Sequence, residues 1–141
     1  MPARVVVIAP NWLGDAVMAL PSVAAIRRHD GTAALVVAAR ASIVPLFRMV
    51  AGVDEVVTLD AGRGRSGLAA WAAETRALAA AKADVAILLP NSFRSAWTAR
   101  RAGIPERWGF ATDWRRPLLT RVVARPRGHL LIQTAQSDLR A

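Results

Sequence analysis

Short apolar runs rich in β-branched residues alternate along this chain with stretches of helical composition, and that alternation leaves few architectures open. The runs fall at 4–9, 34–39, 54–59 and 84–89, with a weaker fifth at 106–111. They are too short for helices, and with little polar alternation they read as strands covered on both faces. Between them the composition predicts helices at about 14–28, 42–50, 67–82 and 93–102. Strand–helix repetition with right-handed crossovers gives an α/β class: a Rossmann-like, doubly wound parallel sheet. Pro21 falls inside the first helix, where its missing amide predicts a kink or a restart near Leu20. Val17, Leu20, Val23 and Ala24 are expected to face the sheet.

In an open parallel sheet, ligands gather outside the carboxyl ends of the strands. The turn at 10–15 lies on that edge, as do the basic, glycine-rich loop at 61–67 and the loop at 112–117. Pro10-Asn-Trp-Leu-Gly-Asp15 lacks both the spaced glycines of a dinucleotide fingerprint and the Gly-Lys-Ser/Thr of a phosphate loop. Gly14 is read as the residue that lets the backbone turn. Asp15 then has two roles open to it. It can cap the helix by accepting the amides of Val17 or Met18. It can also act as a general base at the mouth of a cleft, although a helix N-terminus stabilises carboxylate and so weakens the base.

The charge is lopsided. Residues 1–60 hold five arginines against five acids, so the whole net charge of +9 arises after residue 60. Such a half suits an anionic partner. Arg63 and Arg65 in the glycine-rich loop, and Arg115 and Arg116 beside Trp114, offer guanidinium forks that match carboxylate or phosphate, or simply make solvated loops. Asn91 and Ser92 precede the fourth helix as caps, with Gly103 and Pro105 ending it. Phe93, Ala96 and Trp97 are expected to be its buried stripe, and Arg94, Thr98 and Arg101 its wet side, with Arg94 nearest the ligand edge. Trp12 is the other tryptophan singled out for a ligand. Nucleic acid fits the charge but not the aromatics, which apart from Trp114 are not interleaved with the basic residues.

At 54% apolar residues the chain is suited to one packed domain rather than to disorder. The absence of cysteine excludes disulfides and thiolate metal sites, and no His/Asp/Glu cluster has metal-ligand spacing. With no export signal and no apolar run near the ~18–20 residues of a membrane span, a cytoplasmic protein is expected.

Three stretches carry a resemblance: Asn11-Trp-Leu-Gly-Asp-Ala-Val-Met-Ala-Leu-Pro21, Leu89-Pro-Asn-Ser-Phe-Arg-Ser-Ala96 and Gly103-Ile-Pro-Glu-Arg-Trp-Gly-Phe110. In order and spacing they resemble the ADP-heptose:lipopolysaccharide heptosyltransferases, most like the heptosyltransferase II branch, over residues 4–127. The resemblance implies the N-terminal, acceptor-side half of a two-domain glycosyltransferase B fold. Residues 1–127 form that half and 128–141 a divergent tail, without the tyrosine-bearing helix expected there; no donor domain follows. It further implies inverting, metal-independent transfer of heptose to the lipopolysaccharide inner core. ADP-heptose is then a co-substrate held mainly by the other domain, and there is no resident cofactor. Asp15 matches the proposed base. Asn11, Trp12, Gly14, Arg63, Arg65, Asn91, Ser92, Arg94 and Arg115 are the expected acceptor-binding residues, with peripheral contact at the inner membrane compatible with the lipid acceptor. The alternative is a non-catalytic module for anionic glycolipid or nucleic acid.

Overall fold

A computed structural model describes residues 3–59, 67–112 and 114–123. Six strands lie in one parallel sheet: β1 (Arg4–Ile8), β2 (Ala34–Ala39), β3 (Glu55–Thr58), β4 (Val85–Leu88), β5 (Glu106–Gly109) and β6 (Arg121–Val122). Their order is β3-β2-β1-β4-β5-β6, as the alternation of runs and helices predicts for a Rossmann-like α/β domain. Apolarity tracks position in the sheet. Central β1 reads Arg-Val-Val-Val-Ile and is buried from Val5 onward, whereas edge β6, at Arg121 and Val122, is exposed.

The helices are α1 (Leu13–His29), α2 (Val44–Arg48), α3 (Gly67–Ala80) and α4 (Phe93–Arg101), with one 3₁₀ turn at Arg116–Leu118. Alternate residues along each strand feed two cores. Val5, Val7, Leu35, Val37 and Val85 pack with α1 and α2; Val6, Ile8, Val36, Ala86 and Leu88 pack with α3 and α4. Burying one such side chain is worth about 1.5–3 kcal/mol, so the two layers hold the sheet that positions the loops. Ser92 caps α4 by accepting the Ser95 amide, and Gly103, at φ +78°, ends it in the left-handed conformation that costs glycine least.

Two expectations are met only in part in α1: the restart at Pro21 is absent, and the inward stripe holds at Leu20 and Val23 alone. The helix passes through Pro21 without a restart. Pro21 is exposed, so the hydrogen bond it cannot make is lost on the solvent side, where water can replace it. The inward stripe is Ala16, Leu20, Val23 and Ile26, at i, i+4, i+7 and i+10. Val17 lies about 100° round the helix from Ala16 and is exposed instead.

Candidate functional site

Strands β2 and β3 lie to one side of β1, and β4 to β6 to the other, so the connections leaving β1 and β4 diverge. A crevice opens at such a switch point. Here it is an open cleft of about 390 Å³, lined by Pro10, Asn11, Trp12 and Asp15 from the first turn and by Leu89, Pro90, Asn91 and Ser92 from the fourth. Trp12 is 75% exposed beside it.

Asp15 is not the cap of α1. That position belongs to Trp12, whose carbonyl accepts the Ala16 amide at 2.9 Å; Asp15 sits two residues into the first turn, exposed, with the cleft in front of it. Gly14 is likewise inside the helix rather than at a tight turn, and a Cβ placed there would meet no atom within 4 Å. The cap lies at Trp12, three residues before Asp15, which shifts both roles.

Asn11 is oriented from below by Arg40, whose Nε donates to Asn11 Oδ1 at 3.1 Å. Arg40 immediately follows β2 on the same edge, and that position was the signal in the sequence that was overlooked. Across the crevice, Thr112 Oγ1 donates to the Asn91 carbonyl at 2.8 Å.

Arg115 takes a different place from the one expected. It is 0% exposed and lies under the loops rather than in the cleft. Its Nε donates to the Phe110 carbonyl at 2.6 Å, and its Nη1 to the carbonyls of Pro90 at 2.6 Å and Ser92 at 3.2 Å and to Ser95 Oγ at 3.2 Å. A planar guanidinium with several fixed donors can fasten two loops and a helix start at once, which the sequence could not distinguish from an exposed loop arginine. Arg115 therefore shapes the wall that carries Asn91 and Ser92.

Behind the cleft, on the α3–α4 face, a pocket of about 50 Å³ shares Asn11, Pro90 and Ser92 with it and adds Arg40, Glu74 and Arg94. Arg94 pairs with Glu74 at 3.1 Å and lies 5.5 Å from the centre of the Trp71 ring. Thr98, expected on the wet side, is buried: it accepts Trp71 Nε1 at 2.7 Å and donates to the Arg94 carbonyl. Phe93, expected in the buried stripe, is exposed and stacks on Trp97. The face of α4 was misread because α3, not solvent, lies against it. Trp114 is 95% exposed. Arg63 and Arg65 lie outside the described residues.

Asp15, Asn11, Asn91, Ser92 and Arg94 thus share the carboxyl edge around two adjoining cavities. Among the described residues no group of three or more His, Asp or Glu could hold a metal, and no helix is long and apolar enough to cross a membrane.

A family profile described as glycosyltransferase family 9 (heptosyltransferase) matches residues 71–136. Lipopolysaccharide heptosyltransferase 2 of Escherichia coli K12 is 31% identical over 119 residues, 84% of this chain and 34% of that protein. In these matches the chain is similar to the heptosyltransferases. The Salmonella typhimurium heptosyltransferase 2 is 30% identical over 82% of the chain and 33% of its own length. The solved structure of E. coli ADP-heptose LPS heptosyltransferase II superposes with a TM-score of 0.70 at 29% identity, over 86% of this chain and 35% of that one. A family 9 glycosyl transferase from Veillonella parvula, at 20% identity and a TM-score of 0.75, shares the fold. The chain spans about a third of the length of the heptosyltransferases it matches. The match to the family profile runs to residue 136, past Arg127, where the motifs alone had placed the end of the resemblance.

Proposed function

We propose that this chain forms the acceptor side of a heptosyl transfer from ADP-heptose to the inner core of lipopolysaccharide. The observation that carries this reading is the exposed Asp15 carboxylate on the switch-point cleft, opposite Asn91 and Ser92, in a relative of lipopolysaccharide heptosyltransferase 2. Asp15 takes the proton of an acceptor hydroxyl while that oxygen bonds to the anomeric carbon of heptose and the bond from that carbon to ADP breaks. Attack from the face opposite the leaving group inverts the centre. Asn11, held by Arg40, Asn91, held by Thr112, and Ser92, held by Arg115, hydrogen-bond the acceptor's hydroxyls. Trp12 packs on a sugar face, and Gly14 leaves room for the sugar. Arg94, with Arg63 and Arg65 from the basic loop, meets the acceptor's anionic groups. No resident cofactor or metal takes part, and the setting is the cytoplasm, at the inner-membrane face where the lipid acceptor lies.

Positioning both reactants can contribute about 7–11 kcal/mol to lowering the barrier, and this chain positions only one of them. It should therefore turn nothing over alone. The test has two arms: ADP release and product mass with ADP-heptose and core oligosaccharide, and salt-titrated binding of that oligosaccharide against an oligonucleotide. The reading expects no transfer, with oligosaccharide binding that weakens as salt rises. Measurable transfer overturns the inactivity of the lone chain, and preference for the oligonucleotide overturns the acceptor assignment.

A further inference from the structure

One turn on the carboxyl edge inverts the usual pattern of burial. After β5 the chain turns at Thr112–Arg115, where the Arg115 amide donates to the Thr112 carbonyl at 3.1 Å. Arg115 is fully buried, whereas Trp114 is 95% exposed, the most exposed large apolar side chain among the described residues. Trp114 holds the third position of the turn at φ +61°. A positive φ there favours glycine or asparagine, and for a side chain as bulky as indole it is strained. Neither the strain nor the bare ring helps the chain to fold.

Such strain persists where the surroundings over-determine it. Here the Arg115 guanidinium fastens the turn to the carbonyls of Pro90 and Ser92, and Thr112 Oγ1 fastens it to the Asn91 carbonyl. The turn that shows Trp114 to solvent is therefore built onto the wall of the switch-point cleft. Trp12, 75% exposed, belongs to the other wall. Strands β1, β4 and β5 are neighbours in the sheet. The exits that carry Trp12 and Trp114 thus lie two strand spacings apart, roughly 10 Å. Between them the β4 exit carries Asn91 and Ser92. Exposed indoles with amides and a hydroxyl between them suit an uncharged stretch of carbohydrate. The C–H faces of its rings lie on indole, and its hydroxyls both donate to and accept from the polar groups. A ligand held through charge alone would gain nothing from Trp114.

We infer that Trp114 is a sugar-stacking platform beyond the cleft, which takes the ring next to the one held between Asp15 and Asn91. The acceptor is then recognised over two linked sugar units. This rests on the acceptor reading of the cleft and extends it past the residues that line it.

The test is a titration of the chain with core oligosaccharide, comparing two variants. Trp114→Asn keeps a residue that tolerates the left-handed backbone and removes the ring, whereas Trp114→Phe keeps a ring. The Asn variant should melt no lower than the unaltered chain and bind the oligosaccharide about tenfold more weakly. The Phe variant should recover most of that affinity. The loss should be the same at low and at high salt, because no charge has been removed. A single sugar cut from the core should bind the unaltered chain and both variants alike. Equal oligosaccharide affinity for the unaltered chain and the Asn variant would overturn the inference and leave the cleft reading standing. Absence of oligosaccharide binding by the unaltered chain would overturn both. A lowered Tm for the Asn variant, with affinity not restored by Phe, would make Trp114 a packing residue and overturn the inference alone.

Discussion

At the scale of single residues, the informative cases are those whose surroundings reversed their reading. Arg115 looked like a ligand arginine because it follows a strand and stands beside a tryptophan and a second arginine; the fold buries it and spends its donors on the Pro90, Ser92 and Phe110 carbonyls. Arg115→Met should cost about 3 kcal/mol or more, because it strands several desolvated carbonyls. Arg115→Lys should recover little of this, since an ammonium cannot reproduce the fork. Chemical denaturation measures both; a loss under about 1 kcal/mol for the Met variant would show that the loops hold without the clamp. Gly14 was read as a turn glycine, but it is helical and its side-chain space is empty of protein. Gly14→Ala should therefore stabilise the fold by roughly 0.5–1 kcal/mol. If the acceptor passes over this point, the same change weakens acceptor binding; raised stability with unchanged affinity would move the acceptor elsewhere.

At the scale of elements, strands and helices were legible wherever a run was long or its apolarity continuous. The β2 bounds coincide with those read from the sequence; β1 is shorter by one residue at one end, and β3 and β4 by one residue at each end. Strand β6 was not foreseen, since two exposed residues, Arg121 and Val122, carry no pattern of either period. The orientation of α4 was misjudged because its own sequence cannot say that α3 will cover Thr98. Loop ends at the amino edge are tied by two carboxylates. The Thr32 hydroxyl, with the Ala33 and Thr32 amides, holds Asp30 below its ordinary value of 3.8, and the Leu35 amide, with Arg27, does the same for Asp54. A lowered native value means that the unfolded chain binds more protons in acid. The stability these groups contribute is then complete above about pH 4 and lost as pH falls through the lowered values. Thermal melts should show Tm falling in that window, and Asp54→Asn should make the fall shallower. An identical acid profile for the variant would remove Asp54 from the account.

At the scale of the whole molecule, the class of fold was readable because alternation of apolar runs admits almost nothing else, and the resemblance because three motifs keep their order along one sheet edge. The site was readable only in part. Asn11, Asp15, Asn91 and Ser92 could be gathered because each follows a strand whose carboxyl end defines the edge. Arg40 was missed, since its part depends on the neighbouring strand bringing it under Asn11. The central claim is that the switch-point cleft receives the acceptor. The most direct measurement is an amide NMR titration of the chain with a Kdo-containing core oligosaccharide at low salt. Saturable shifts should concentrate at residues 11–15 and 91–94, with none at the amino-edge loop around Asp30. Shifts clustered at the amino edge, or no saturable shifts at all, would contradict it.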